Sequence, residues 1–387
     1  MKRSYLGLAA IFMLFFGTAQ VTQAQVSQPI TTTAVPFLRI SPDARGGGMG
    51  DLGVATTPDA SSGFYNLSKT PFAKKDIGIS LTYTPWLKDL GLNDVYLLAA
   101  SGYKKLDNLQ AISGGIRYFS LGNIQFTDNS GANVGTGNPR EWGLDVGYSR
   151  KLSDKLSIGL AARYIYSNLA GGFSSSSTTY QPGKTFAADI SLFYTGVTEE
   201  AGGWNFGLAL SNLGGKIGYT NSATDKDYIP ADLGLGTTYT AVFNEDNKLM
   251  IGLDIHKLLV PAPPADLSDS AAMANYHNKS IVSSWFNSFS GPNQFKTLQA
   301  SIGAEYSYQD QFFFRMGYYY EDRNQGDRKY FSVGVGVNYN VMGLNFSYLV
   351  PSGNGTTRNP LSNTLRFGLS FNLDANSDNS STPTTTP

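Results

Sequence analysis

The feature that most restricts how this chain can fold is the spacing of its strand-like segments. Fourteen runs carry strand patterning: residues 77–84, 94–104, 109–121, 140–151, 155–167, 184–195, 203–211, 231–240, 247–256, 298–308, 311–320, 330–339, 342–349 and 364–372. Most are 8–11 residues long, the length a tilted strand needs to cross a bilayer. Counted from the first, the odd connections are long (85–93, 122–139, 168–183, 212–230, 257–297, 321–329, 350–363). The even ones are short (105–108, 152–154, 196–202, 241–246, and joins near Gln309-Asp310 and Val341). Long extracellular loops alternating with short periplasmic turns is the layout of an outer-membrane barrel, and a soluble sandwich has no reason to keep it. The expectation is an all-β fold: a 14-stranded antiparallel transmembrane β-barrel.

Alternation inside the strands agrees. In 330–339, Phe331, Val333, Val335, Val337 and Tyr339 alternate with Ser332, Gly334, Gly336 and Asn338. The charges in the strand bodies are a sharper test. Arg117, Asp145, Arg163, Asp189, Asp254, Glu305, Arg315 and Arg366 all share the parity of the small residues. On the apolar face, an Arg or Lys near mid-membrane costs roughly 2–4 kcal/mol. Four cations and four anions on the inner face predict a lumen crossed by ion pairs rather than a single-sign selectivity ring.

A barrel of fourteen strands leaves a lumen to be filled, since about eight strands already suffice to pack one with side chains. The material lies upstream. Residues 1–24 read as a secretory signal peptide, with Lys2 and Arg3 before the apolar run 5–17. Residues 25–76 follow: a Gln/Thr/Pro lead-in over 25–36, then 37–70, rich in Gly, Ala, Ser, Asp and Pro with neither a helical stripe nor strict alternation. They are predicted to form a hatch folded into the lumen, with Asp43, Arg45, Asp51 and Asp59 meeting lumen charges and Asn66 in the same compact stretch. Residues 77–372 make the barrel, and 373–387 form a polar, disordered tail. Phe371 resembles the terminal aromatic that outer-membrane proteins present to their assembly machinery.

The motifs point away from chemistry. Gly48, Gly50 and Gly53 match Gly-x-Gly-x-x-Gly, but no strand precedes them and no helix opens from them, so a nucleotide site is not supported. Their expected role is tight packing. His256 and His277 have no metal-ligand spacing, there is no Gly-x-Ser-x-Gly elbow, and His256 is expected to hydrogen-bond in the lumen beside Asp254. No catalytic, metal or cofactor site is expected. Zero cysteine excludes disulfides, and a net charge of zero gives no reason to bind nucleic acid. Two loops are unusually apolar: the first, with Trp86 and Leu87, and 257–297, with Trp285, Phe286 and Phe289. Such loops either dock a partner or fold inward as a lid.

The segment ARGGGMGDLGVATTPDASSGFYN (44–66) ahead of fourteen strands resembles the hatch of FadL-type outer-membrane barrels. Where that hatch usually has Asn-Pro, this chain has Asn66-Leu67. Pro36 to Arg45 with GMGDLGVAT (48–56) is similar to the PorV family of the type IX secretion system. That resemblance implies a non-enzymatic outer-membrane protein that accompanies the translocon barrel. It also implies that the protein receives exported cargo through C-terminal signal domains and delivers it to a surface sortase. The FadL likeness implies the alternative, a channel for hydrophobic small molecules. Outer-membrane lipid surrounds the barrel in either case.

Overall fold

The structure, a computed structural model, describes residues 30–127, 130–170, 179–221, 226–290, 294–350, 361 and 363–374. The expected signal peptide and all but the first two residues of the expected tail lie outside the described residues. In chain order the first strands are β1 (Ile77–Pro85), β2 (Val95–Lys105), β3 (Gln110–Leu121), β4 (Ile124–Thr127), β5 (Asn133–Gly137), β6 (Arg140–Lys151), β7 (Leu156–Asn168), β8 (Gly183–Thr195) and β9 (Gly203–Gly214). There follow β10 (Ile217–Gly218), β11 (Lys226–Asp227), β12 (Asp232–Val242), β13 (Asn247–Leu258), β14 (Leu298–Tyr308), β15 (Phe312–Glu321), β16 (Lys329–Tyr339), β17 (Met342–Val350) and β18 (Leu365–Leu373).

Fourteen of these close one antiparallel barrel, each pairing with the barrel strands before and after it, and β1 closing on β18 from Ile77↔Leu373 to Tyr83↔Phe367. The expected strand set is therefore the observed one. The pairs β4–β5 and β10–β11 are small hairpin ladders inside long loops, which the spacing alone did not announce. The 257–297 connection also holds two helices, α2 (Ser270–Asn278) and α3 (Ile281–Asn287).

Side-chain alternation sets the two faces. In β8, Phe186, Ile190, Leu192 and Tyr194 point outward and are exposed, while Ala187, Asp189, Ser191 and Phe193 are buried between them. The outward face is solvated by lipid, which makes exposed apolar side chains favourable there. Two aromatic belts bound it: Trp142 lies 5.4 Å from both Tyr164 and Tyr166 near the long loops, and Trp204 lies 4.9 Å from Tyr239 near the short turns. The tightest join is Asn340-Val341, a two-residue hairpin between the paired Tyr339 and Met342 with Asn340 at φ 52°.

The chain upstream of β1 runs down the lumen. At the long-loop end, the Thr31 amide donates to Gln325 Oε1 (3.3 Å) and the Ala34 amide to the Tyr228 carbonyl (2.9 Å). At the turn end, Lys75 pairs with Asp374 (2.7 Å) and the Lys105 amide donates to the Asp76 carbonyl (2.8 Å). Between them the backbone folds as short 3-10 turns (Pro36–Arg39, Ser62–Phe64, Leu67–Phe72) and one helical turn, α1 (Ala44–Gly47). Asp43 caps α1 by accepting from the Arg45 and Gly46 amides, and Asn66 caps the last turn through the Ser68 amide.

Because residue 30 sits among the long loops, an epitope inserted just before Ile30 is expected to bind antibody on intact cells. One inserted in the 243–246 turn is expected to react only after the outer membrane is permeabilised. The opposite pattern would reverse the path of the chain.

Candidate functional site

The lumen wall presents charges that need partners, and the hatch supplies several of them. Arg45 grips Glu305 with two hydrogen bonds, Nε to Oε2 (2.9 Å) and Nη2 to Oε1 (2.7 Å). Its third nitrogen, Nη1, reaches Asp59 (2.8 Å). Glu305 also accepts from Arg315 Nε (2.6 Å), the residue directly opposite it on β15. A bidentate Arg–carboxylate contact fixes orientation as well as charge. Asp254 Oδ2 accepts the amides of Gly53 (2.7 Å) and Val54 (2.8 Å). Arg366 lies 3.4 Å from Asp51, which also accepts from the Tyr330 hydroxyl.

Across the lumen, Arg163 bonds Asp145 and Asn212 and pairs with Asp189 (2.9 Å), while Arg117 reaches the Leu38 carbonyl (3.2 Å). Asn212 was not legible as a site residue. It stands at φ 57° in β9, where a bulge opposite Ala188–Ile190 turns its amide onto Asp189 Oδ1 (2.7 Å). Glu321, which pairs with Arg39 (2.7 Å) and Arg328 (2.6 Å), was also missed, although it has the inward parity of Arg315.

Two expectations need correction. Asp43 does not meet a wall charge; it is buried against Tyr65 and the amides of α1, all within the hatch. Asp59 likewise stays within the hatch, held by Arg45 and the Ser61 amide. His256 is hydrogen-bonded on the inner face as expected, and its partner is Asp232 across the strand pair (2.6 Å). The glycines serve contact: Gly50 has φ +70° and its amide donates to Ser332 Oγ (2.8 Å), and a Cβ on Gly48 would meet Gly334 Cα at 3.1 Å. The wall answers in kind, since a Cβ on Gly317 would lie 2.0 Å from the Met49 carbonyl carbon.

The long-loop mouth is sealed by an apolar layer. Phe37 stacks on Phe119 (6.5 Å between ring centroids), and Trp86 meets the same ring edge-on (6.4 Å). Leu97, Ile165, Ile217 and Leu349 complete the layer. Trp86 is thus buried as part of a lid, and Leu87 packs half-buried against it. Beneath the layer lies a cavity of about 110 Å³ whose lining includes Arg39, Arg117, Arg163, Asp232 and His256.

The long loop behaves differently. Ser284 on α3 is buried and donates to the Tyr228 hydroxyl (2.9 Å), which donates to the Tyr276 carbonyl (2.9 Å). Burial pushes the Tyr276 phenol above its usual range. Lys216 Nζ ties down the end of α2 through the carbonyls of His277 and Lys279. With that side anchored, Val282 and Phe286 on α3 are exposed, Phe286 to 72%, and Phe289 just beyond the helix is exposed with Lys257 Nζ 5.5 Å from its ring. Trp285 is half-buried between the two sides.

A closed fourteen-stranded barrel with an apolar outer band and a lumen occupied by its own N-terminal segment defines a plugged outer-membrane barrel. The sequence profile of the type IX secretion system protein PorV matches residues 22–265, from ahead of the hatch to just beyond β13. The chain belongs to the PorV family, and it is an outer-membrane component of the type IX secretion system. No curated protein matches it in sequence. Among solved structures, the Ralstonia pickettii toluene transporter TbuX is similar in fold (TM-score 0.50, 13% identity, 86% of this chain and 98% of that one). So is the deltaS2S3 mutant of the monoaromatic hydrocarbon channel TodX (TM-score 0.52, 12% identity, 86% and 98%). A Pseudomonas aeruginosa FadL homologue overlays at TM-score 0.45 with 13% identity, over 90% of this chain and 99% of that one.

Two substitutions test the hatch seating. Glu305→Gln leaves Arg315 without its counter-charge and Arg45 with Asp59 alone, and is expected to destabilise the barrel by about 3–5 kcal/mol, measured as a lower unfolding midpoint in denaturant. Gly317→Val is expected to unseat the hatch, so that residues 30–73 become protease-sensitive in detergent while the strands resist; an unchanged digest would show that the contact with Met49 does not hold the segment.

Proposed function

We propose that this protein is a docking barrel of the type IX secretion system. Its long-loop mouth engages the translocon barrel and the C-terminal signal domains of exported cargo, and cargo passes from there to the surface sortase. The observation that carries this reading is the exposed apolar patch formed by Val282 and Phe286 on α3 and Phe289 just beyond it, on a loop whose other side is firmly packed. Apolar side chains exposed to water on an anchored support mark a contact surface. Here the hatch acts as a fixed plug, and the lumen is not the route of the cargo.

The second reading is a channel for hydrophobic compounds, which the fold shared with TbuX and TodX favours. The lumen weighs against it. The apolar layer at the mouth is filled by Phe37 and Trp86, and the cavity beneath is small and lined by charged groups. A hydrophobic permeant gains nothing from that lining.

Replacing Val282, Phe286 and Phe289 together by Ser, with the buried Trp86 untouched, is expected to leave the heat-modifiable barrel intact. Co-purification of the translocon and cargo from native membranes is expected to fall sharply. Unchanged co-purification would reject α3 as the docking surface, and uptake of a hydrophobic tracer lost with the wild-type gene would favour the channel.

A further inference from the structure

The outer wall is not convex all the way round. Residues of β16 and β17 (Val335, Phe346) and of β2 and β3 (Leu98, Ile116) line one groove of about 790 Å³, with Leu81 of β1 and Leu369 of β18 between them. From β3 to β16 is five strand steps, roughly 24 Å along the wall at about 4.8 Å per step. An outward-bowed wall of that length cannot enclose a common cavity on its lipid side, so the wall bends inward at the seam where the barrel closes.

The hatch explains the bend. Helix α1 packs on β16, β17 and β18 through glycines on both partners: Gly48 sits against Gly334, and the Ala44 methyl lies 3.2 Å from where a Cβ of Gly368 would stand. Close backbone approach of this kind draws the strands toward the lumen. On the outside, Ala100 is a small outward residue between Leu81 and Ile116 in register, which deepens the depression.

We infer that this groove holds the acyl chains of one outer-leaflet lipid. Three observations favour that occupant. The groove lies in the lipid-facing band, where bilayer hydrocarbon is the solvent. No charged side chain lines it. It extends toward the long loops to Tyr83 and Tyr118, part of a ladder in which Tyr96 stands 6.0 and 6.3 Å from its neighbours. Tyrosine rings belong at the headgroup level, so a lipid with its headgroup at the ladder places its chains in the groove. A partner's transmembrane helix, about 10–12 Å across with its side chains, is a poor match for a groove of this volume. Since α1 shapes the groove from inside, lipid occupancy and hatch seating are linked.

The test uses full-length protein purified from native membranes in mild detergent, with native mass spectrometry and lipid extraction. Wild type is expected to retain one lipid per chain through detergent exchange. Ala100→Trp, which fills the groove from the lipid side, is expected to lose it. Val146→Trp, at an outward site on β6 away from the groove, is expected to keep it. Heat-modifiability confirms that both variants are folded. No retained lipid in wild type, or equal retention by both variants, would overturn the assignment. So would a protein rather than a lipid photocrosslinking to a probe attached at Ala100→Cys, which is the sole cysteine in that variant.

Discussion

The grip of Arg45 on Glu305 is the contact on which the rest of the structure depends. It joins the hatch to the wall inside the lumen, with Glu305 buried and Arg45 nearly so. Removing either charge unbalances the cluster, because one cation or one carboxylate is then left in excess away from water. Glu305 also holds Arg315, and Arg45 also holds Asp59, so one carboxylate and one guanidinium connect two strands and two turns of the hatch. The wall therefore requires the hatch as much as the hatch requires the wall. The glycine contacts follow from this placement: once Arg45 is fixed, Gly48 and Gly50 lie directly against β15 and β16, where nothing larger fits.

A lumen filled in this way directs attention to the mouth. The apolar layer of Phe37, Trp86 and Phe119 closes the barrel from above, and the exposed apolar surface moves outward onto α3. At the turn end the hatch exit is held by surface ion pairs. Partial burial would lower the Lys74 ammonium, but Glu199 and Asp310 outweigh it and raise it. Exposed pairs of this kind contribute little individually and serve as a rim rather than an anchor.

Most of the barrel was legible from the sequence, because period-two alternation and the parity of eight strand charges are local signals. The hatch was legible as a segment but not in detail. Nothing in the order of residues tells Asp51, which reaches Tyr330 and Arg366 on the wall, from Asp43, which stays with Tyr65. Trp86 and Phe286 look alike as loop aromatics. One is buried because Phe37 and Phe119 arrive from distant parts of the chain, and the other is exposed because Ser284 faces inward on the same helix. Asn212 depends on a bulge, and the outer groove on wall curvature, and neither leaves a pattern in the sequence. The helices of the long loop carry capping signals at Asp269 and Ser280, which a closer reading of that connection would use.

The proposed docking role requires a hatch that stays in place while partners are engaged at the mouth. Ser61 Oγ on the hatch lies 3.1 Å from Ser80 Oγ on β1, and the chain has no cysteine of its own. Ser61→Cys with Ser80→Cys should therefore form a disulfide that locks the hatch to the wall. The decisive measurement is surface display of type IX cargo in cells carrying this variant, oxidised and reduced. Equal display in the two states is the predicted result. Display lost on oxidation and restored by reduction would contradict it and make the lumen, not the loops, the working part of the molecule.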